Sequence, residues 1–303
     1  MTATVHPVSR ASQIGLVVPA FNIPYLPMMA PVVQAVVDQD CFALIAVARL
    51  EWIKFQARSL AAIAEEYGRQ ARAGYVALHL DHVPVVDEDG LAVDYRPIIG
   101  EAIVLGYQSV MVDGSRLPLH ENIEATRQVV AMAHAAGIPC EAELGAVMGH
   151  EAGPLPPYEE LFASGLGFTG AGEAQRFVRE TACDWLSVAV GNVHGAVSGV
   201  LKNQKKVEAR LDVEQVRRLH EATGVPLVLH GGSGVRQEYL LAAIERGIAK
   251  INIGTDIRQP YESAMRETND LAAAQHIVYE RASALLRDWL GLAGTRRRLV
   301  TVA

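Results

Sequence analysis

Three histidines in this sequence each end a short apolar run and stand beside glycine or aspartate. They are His82 in LHLDH, His194 in GNVHG and His230 in LHGGSG. Neutral imidazole is a common ligand of catalytic metals, and three protein ligands with one open position define a catalytic zinc site. If the apolar runs are strands of one sheet, their ends share one face and the three rings can reach one centre. The pattern therefore predicts zinc bound by these three histidines.

Acidic residues accompany the predicted ligands. Asp81 directly precedes His82, and successive side chains of a strand point to opposite faces, so we expect Asp81 to point away from the metal. Its predicted task is to transfer a proton or to orient a histidine. Glu143 in EAELG can reach the metal, either permanently or in an alternate position, whereas Glu151 lies in a long loop. His79 is predicted to be a core residue.

Two further apolar runs end in residues suited to a phosphate. In GGSG at 231–234 the glycines permit close backbone approach, and the N-terminus of the helix predicted to follow offers unpaired N–H groups to an anion. Loops after strands seven and eight are the usual phosphate site of a (β/α)₈ barrel. The residues concerned are Gly231, Gly232, Ser233, Asn252, Gly254 and Thr255. A Lewis-acid metal beside a phosphate site suits a small phosphorylated ketone, because the metal polarises the carbonyl and stabilises the enediolate.

The elements that must position these residues alternate along the chain. Near-continuous apolar runs predict parallel strands buried on both faces, and amphipathic stretches predict helices between them. Candidate strands cover 15–20, 42–48, 75–81, 108–113, 139–144, 185–190, 225–230 and 248–253, and candidate helices cover 56–72, 121–136, 173–182 and 235–246. The fold class is α/β: a (β/α)₈ TIM barrel forming one domain over 1–303, with extra C-terminal helices from about 259 and a basic tail that is frayed or packed on a neighbouring molecule. Active sites of this barrel lie at the carboxyl ends of the strands.

Composition limits the other classes. A formal charge of −7 over 303 residues argues against a nucleic-acid or anionic-membrane partner, and no apolar run is long enough for a membrane helix. The N-terminus lacks a signal-peptide layout. The 3 cysteines lie in or beside apolar runs without metal-ligand spacing, which predicts buried free thiols and a cytoplasmic location.

From about residue 22 to residue 258, this sequence resembles the class II, metal-dependent ketose-bisphosphate aldolases, the family of fructose- and tagatose-bisphosphate aldolases. The motifs that carry the resemblance are PAFN, LHLDH, SVMVDGS, EAELG, GNVHG, LHGGSGV and AKINIGTDIR. The resemblance implies a dimeric or tetrameric TIM barrel with zinc on His82, His194 and His230, and with Glu143 also contacting the metal.

The same resemblance implies roles for other residues. Asp81 corresponds to the acid/base residue at the C4 hydroxyl, and Glu151 to a loop carboxylate that moves the proton at C3. The positions that correspond to substrate contacts are Asn22, Gly195, Gly231, Ser233, Asn252 and Thr255, with a sodium or potassium ion often present near the phosphate.

The sequence also departs from the family pattern. Ala48, followed by Arg49 and Glu51, stands where a serine is usual, and the Asp-Pro-Arg segment that supplies an arginine to the distal phosphate has no counterpart around 270–282. The sequence therefore predicts that the phosphate site at the dihydroxyacetone end is kept and that the distal end differs.

Three hypotheses follow. The first is a zinc-dependent lyase that cleaves or forms the C3–C4 bond of a ketose phosphate. The second is a metal-dependent hydrolase on the same barrel, which would use zinc-bound hydroxide as its nucleophile. The third is a non-catalytic protein that binds a sugar phosphate.

Overall fold

Parallel strands close into a barrel in chain order. The computed structural model describes residues 6–145, 158–192 and 209–300, and within these ranges eight strands form the barrel. They are β1 (Val18–Asn22), β2 (Ala43–Ala48), β3 (Val76–Pro84), β4 (Ser109–Asp113), β5 (Cys140–Leu144), β6 (Trp185–Val188), β7 (Leu227–Leu229) and β8 (Ile248–Ile253). The predicted TIM barrel is confirmed.

Helices follow the strands around the outside of the barrel. They are α1 (Pro7–Ile14), α2 (Met29–Asp38), α3 (Arg49–Ile53), α4 (Leu60–Gln70), α5 (Tyr95–Val104), α6 (Leu119–Ala135), α7 (Tyr158–Ser164), α8 (Ala171–Thr181), α9 (Val213–Thr223), α10 (Gln237–Ile244), α11 (Thr255–Thr268), α12 (Leu271–Ala284) and α13 (Arg296–Leu299). Short 3₁₀ and π turns cover Leu26–Met28 and Leu285–Trp289. All four predicted helices are present, although α4 and α10 begin later than expected.

Two strands extend beyond their predicted ends toward the site. β1 continues to Asn22 and β3 to Pro84, whereas the sequence pattern predicted ends at 20 and 81. In both cases polar residues follow the apolar run, and pairing with neighbouring strands keeps them in the sheet. Asn22 pairs with Ala46 of β2, and Pro84 pairs with Asp113 of β4.

An apolar cluster fills the amino-terminal half of the barrel interior, and we call it the barrel floor. Its members come from the strands, from the residue that precedes β2, and from α1 and α13: Val8, Ala11, Val18, Ala20, Phe42, Leu44, Ala46, Ala77, Trp185, Val228, Ala249 and Leu299. A second, larger cluster packs the outer faces of the strands against the surrounding helices. Each large apolar side chain that is fully buried contributes about 1.5–3 kcal/mol, so both layers support the strand ends that carry the site.

The basic C-terminal segment packs on its own chain, so the expectation of a frayed tail is wrong for the part described. Arg296 donates a hydrogen bond from Nε to Oδ1 of Asp40 at 2.7 Å, and its guanidinium lies 4.2 Å from the centre of the Tyr75 ring. Leu299 is buried in the barrel floor. The buried Leu299 side chain and the Arg296–Asp40 pair together hold the segment against the barrel.

The cysteines behave as predicted. Cys41, Cys140 and Cys183 are free and buried. Among the described residues, no helix combines the length and apolarity that a bilayer crossing requires.

His6 makes the stability of the barrel floor depend on pH. Its Nδ1 accepts a hydrogen bond from the Val8 N–H at the start of α1, and its ring lies 4.7 Å from that of Trp185. Burial, with a smaller contribution from His79, lowers the pKa of His6 to about 4. Since the unfolded chain binds this proton with a pKa near 6.5, the stabilisation is complete above that pH and is lost as the pH falls toward 4.

We therefore expect His6→Asn, which keeps a side-chain acceptor for the helix N-terminus, to flatten the acid side of the stability profile. Between pH 7 and pH 4.5 the wild-type free energy of unfolding should fall by about 1–3 kcal/mol more than that of the variant. Urea unfolding across this pH range measures the difference. Parallel profiles for the two proteins would show that His6 does not carry this effect.

Candidate active site

Two of the three predicted histidine ligands meet at the carboxyl end of the barrel. His82 lies near the end of β3 and His230 directly follows β7, and their ring centres are 4.3 Å apart. Glu143 of β5 reaches the same point, with Oε2 3.1 Å from Nδ1 of His230 and 3.8 Å from Nδ1 of His82. The remaining predicted ligand, His194, lies outside the described residues, as do Gly195 and Glu151.

A bulge in β3 turns both Asp81 and His82 toward this point. Leu80 pairs with Val110 and Val83 with Val112, so β3 has one residue more than β4 in this interval. His82 has a positive φ of 22°. The expectation that Asp81 points away from His82 is therefore wrong, because the bulge breaks the strict alternation of the strand. Potential ligand atoms of Asp81, His82 and His230 all lie within 4.8 Å of one another.

Carboxylates dominate the electrostatics around His82. Oδ2 of Asp113, at the end of β4, lies 3.2 Å from Nδ1 of His82. Burial alone would lower the pKa of His82, but Asp81, Asp113 and Glu143 outweigh it and raise the pKa to about 10. The surroundings of His82 therefore favour positive charge, whether a proton or a metal ion supplies it.

Asp113 was not among the predicted site residues. It ends the apolar run SVMVD, which was the available signal, and its Oδ1 accepts hydrogen bonds from the N–H and the hydroxyl of Ser115. Burial disfavours its ionisation, but His82 and Ser115 hold its pKa below the usual range. His82, Asp113 and Glu143 form a second group of side chains with metal-ligand spacing.

His230 is held from behind by a second glutamate of β5. Its Nε2 lies 2.8 Å from Oε1 of Glu141, and both side chains are fully buried. A proton on Nε2 that is donated to Glu141 leaves the Nδ1 lone pair on the side of Glu143 and His82. Metal-bound histidines are commonly supported in this way by a carboxylate on the other ring nitrogen.

Asp81 sits at the centre of a hydrogen-bond network. Nδ2 of Asn22 donates to its Oδ2 at 2.8 Å, and Nδ2 of Asn252 donates to Oδ1 at 3.0 Å and to Oδ2 at 2.8 Å. Burial would raise the pKa of Asp81, but Lys250 and the neighbouring imidazoles hold it well below its usual range. Asp81 is therefore an ionised carboxylate, able to accept a proton from a bound hydroxyl.

These contacts describe Asn22 and Asn252 more fully than the sequence could. Both were predicted to contact substrate, and in the structure their amide nitrogens orient Asp81. Oδ1 of Asn252 is buried and has no hydrogen-bond partner among the described residues. It therefore remains an acceptor for a ligand hydroxyl.

Glu51 is a buried acid next to Asp81 that sequence reasoning noted only as a departure from a family pattern. It is 8% exposed, and its Oε2 accepts a hydrogen bond from the Ala48 N–H at 2.7 Å. Burial raises the pKa of Glu51 to about 8, with Asp81 adding to the effect and the hydrogen bonds from Ala48 and Asn22 opposing it. The amide of Asn22 thus lies between Asp81, whose pKa is lowered, and Glu51, whose pKa is raised.

The predicted phosphate residues line the neighbouring part of the rim. Ser233 is 4% exposed, and its Oγ is buried without a hydrogen-bond partner in the described part of the chain. Gly254 immediately precedes α11, whose first residue is Thr255. Because β7 and β8 are neighbours in the barrel, Ser233 follows the strand next to the one that leads into α11, and the positive end of that helix suits an anion.

A turn separates the glycine segment from the helix that was predicted to follow it at 235. Gly231 has a φ of 64°, and the Val235 N–H donates to the Gly232 carbonyl at 3.1 Å. Helix α10 begins only at Gln237, because this turn intervenes. Helix α11, which the sequence predicted only from about 259, begins at Thr255 and thus directly follows the predicted phosphate residues of β8.

Comparisons with known proteins show the family to which this chain belongs. Residues 3–295 match the family described as Fructose-bisphosphate aldolase class-II. The chain therefore belongs to that family, and the resemblance of its motifs to class II aldolases is confirmed.

Individual relatives cover most of this chain. A fructose-bisphosphate aldolase of Geobacillus stearothermophilus is 35% identical over 205 residues, which are 68% of this chain and 62% of that protein. A 6-phospho-5-dehydro-2-deoxy-D-gluconate aldolase of Shouchella clausii is 39% identical over 217 residues, 72% of this chain and 64% of that protein. The matches thus span somewhat over three fifths of these curated relatives. The crystal structure of the YdjI aldolase from Escherichia coli K12 matches with a TM-score of 0.72 and 27% identity, covering 95% of this chain and 96% of that chain.

Gly232 offers a direct test of the phosphate site. A Cβ at this position would lie 2.5 Å from Cδ1 of Ile251 and 3.1 Å from the Asn252 carbonyl oxygen. We expect Gly232→Ala to cost about 1–3 kcal/mol of unfolding free energy through overpacking. It should also weaken binding of dihydroxyacetone phosphate by roughly tenfold, equal to about 1.4 kcal/mol, as measured by calorimetry on the zinc-loaded protein.

Gly172→Ala is the matched control, since a Cβ there would meet nothing within 4 Å and alanine favours a helix. It should leave both quantities unchanged or increase stability slightly. Unaltered ligand binding in a folded Gly232→Ala variant would place the phosphate elsewhere.

Proposed function

We propose that this protein is a zinc-dependent aldolase that cleaves or forms the C3–C4 bond of a ketose phosphate. The observation that carries the proposal is the meeting of His82, His230 and Glu143 beside the ionised Asp81. The Ser233 hydroxyl, which has no hydrogen-bond partner in the described part of the chain, and the predicted phosphate residues Gly254 and Thr255 at the start of α11 add to it. Membership of the class II family and the aldolase names of its relatives support the same reaction class.

The donor set fits a zinc ion. Two imidazoles, supported by Glu141 and Asp113, lie within reach of the Glu143 carboxylate, and His194 is the proposed third imidazole. Zinc bound there would polarise the substrate carbonyl and stabilise negative charge that develops on its oxygen. A sodium or potassium ion near the phosphate belongs to the proposal only through the family resemblance.

Asp81 is proposed to act on the C4 hydroxyl. In the cleavage direction its carboxylate accepts the hydroxyl proton, the C4–O bond becomes the aldehyde carbonyl, and the electrons of the C3–C4 bond move toward C3. Glu151 is proposed to deliver the proton that C3 then requires. In condensation the same steps run in reverse.

The phosphate of the dihydroxyacetone end is proposed to lie against the glycine segment and α11. Ser233 Oγ has no hydrogen-bond partner among the described residues, and no side chain in that part of the chain caps the start of α11. This hydroxyl and the first N–H groups of α11 are proposed to donate to the phosphate oxygens, with Gly195, Gly231, Gly232, Gly254 and Thr255 proposed to line the site. The donor product is then dihydroxyacetone phosphate or a close analogue. One relative is named for a substrate with a single phosphate, which agrees with a distal end that does not require a second one.

The hydrolase hypothesis receives no support from the family or from the names of its relatives. A non-catalytic binding protein is disfavoured because Asp81 and the described metal-ligand candidates are in place.

We further propose a homodimer or homotetramer in the cytoplasm. Leu271 and Ile277 of α12, which are 44% and 40% exposed, are apolar surface available for subunit contact.

The function is tested by condensation of dihydroxyacetone phosphate with a panel of phosphorylated and neutral aldehydes, with products identified by mass. We expect a ketose phosphate product whose formation stops on chelation and returns with zinc. Zinc at 100 times its dissociation constant should stabilise the fold by about 2.7 kcal/mol, raising the melting temperature. Undiminished turnover after complete removal of metal would contradict the proposal.

The role of Asp81 is tested by Asp81→Asn, which keeps the shape and removes the base. Turnover should fall on the order of 10²–10⁴-fold, as expected for loss of acid–base catalysis, while zinc content stays at one ion per chain. Full turnover with zinc bound would refute the role. A parallel loss of zinc would assign Asp81 to the metal instead.

A further inference from the structure

A layer of ionisable side chains lies inside the barrel between the floor and the site, and we call it the ion layer. It consists of Lys250 of β8, Glu141 of β5 and His79 of β3, all fully buried. TIM-barrel interiors are usually filled by branched apolar side chains. A lysine that replaces one of them is costly to bury unless it is well paired, so its presence requires an explanation.

Lys250 is paired with two acids that serve the site above it. Its Nζ lies 2.8 Å from Oε2 of Glu141 and 3.7 Å from Oδ1 of Asp81. The other oxygen of Glu141, Oε1, is the one that lies 2.8 Å from Nε2 of His230. One ammonium group therefore reaches the proposed base directly and a proposed zinc ligand through a single carboxylate.

His79 is the neutral member of the ion layer, and the positive charge comes from Lys250. Its Nδ1 lies 2.8 Å from Oγ of Ser109, and its Nε2 lies 3.6 Å from both Asp81 and Glu141. Burial, and next the charge of Lys250, lowers the pKa of His79, so the ring is neutral. The same ammonium brings the pKa of Glu141 down to about 2 despite burial, with help from His230.

We propose that Lys250 is a positioning residue of the active site. Its ammonium holds the Asp81 carboxylate in place and fixes Glu141, which sets the His230 ring with Nδ1 toward the metal. Lys250 itself contacts neither zinc nor substrate. The proposal rests on the proposed function in that Asp81 and His230 are taken as base and ligand.

The alternative is that Lys250 only compensates buried charge, in which case its removal would affect stability alone. Lys250→Met keeps the length and removes the charge, but it leaves Glu141 buried without its cation and risks misfolding. The double variant Lys250→Met/Glu141→Gln removes both charges together and leaves an amide oxygen to accept the His230 Nε2–H. It keeps the proposal testable if the single variant does not fold.

The measurements are the zinc dissociation constant of the metal-free protein, by competition with a chromophoric chelator, and kcat and KM of the zinc-loaded protein. Removal of such supporting groups typically costs 10–100-fold in metal affinity or activity. We expect losses of that size in zinc affinity and in kcat in whichever variant folds, with KM changed less than threefold.

Arg296→Met is the matched control, because it breaks the Arg296–Asp40 pair away from the site. It should lower the melting temperature and leave zinc affinity and kcat unchanged. Wild-type zinc affinity and kcat in the folded double variant would overturn the role of Lys250 and leave the aldolase proposal intact. If the wild type itself shows no lyase turnover, the proposed function fails, and the zinc constants still decide whether Lys250 positions His230.

Discussion

The carboxyl end of the barrel concentrates negative charge, and the repulsion among its acids governs the rest of the site. Asp81, Asp113, Glu141 and Glu143 all project into one small, largely buried volume. Like charges at such distances in a poorly solvated interior cannot coexist without cations. Lys250 supplies one, and the second comes from a proton or a divalent metal at His82 and His230. Proton and metal thus compete for the same imidazoles, as is general for histidine metal sites.

Backbone details decide which of these charges face one another. The bulge of β3 brings Asp81 and His82 to the same side, so one strand contributes both a proposed base and a proposed ligand. Glu141 and Glu143 lie two residues apart on the same, inward face of β5, with Glu141 at Nε2 of His230 and Glu143 at its Nδ1. A regular β3 would have separated acid from ligand and placed one of them outside the barrel.

Much of this arrangement was legible in the sequence. Unbroken apolar runs predicted a parallel barrel, and polar residues at their ends predicted where His82, His230 and Ser233 would gather. The direction of Asp81 was not predictable, because strand periodicity gives no sign of a bulge. The role of Lys250 was not predicted, because a single charged residue in an apolar run such as AKINI normally indicates an exposed side chain. The burial of Glu51 follows from how α3 packs against β3, which local pattern does not contain. The late start of α10 was not predicted, because glycines before a helical pattern do not show that a turn separates them from the helix.

The barrel floor has a consequence for the field above it. Trp185 stands with its ring 4.7 Å from that of His6 and 6.0 Å from that of His79, so hydrocarbon and aromatic matter insulate the ion layer from the solvent on the opposite face. Because solvent screens the charge of Lys250 only poorly from the floor side, its electric field stays strong at the carboxyl end of the barrel, where the site lies. A substitution in the floor that admitted water would raise the local dielectric constant and weaken that field. Residues far from the proposed reacting atoms therefore set the strength of the electric field at the site.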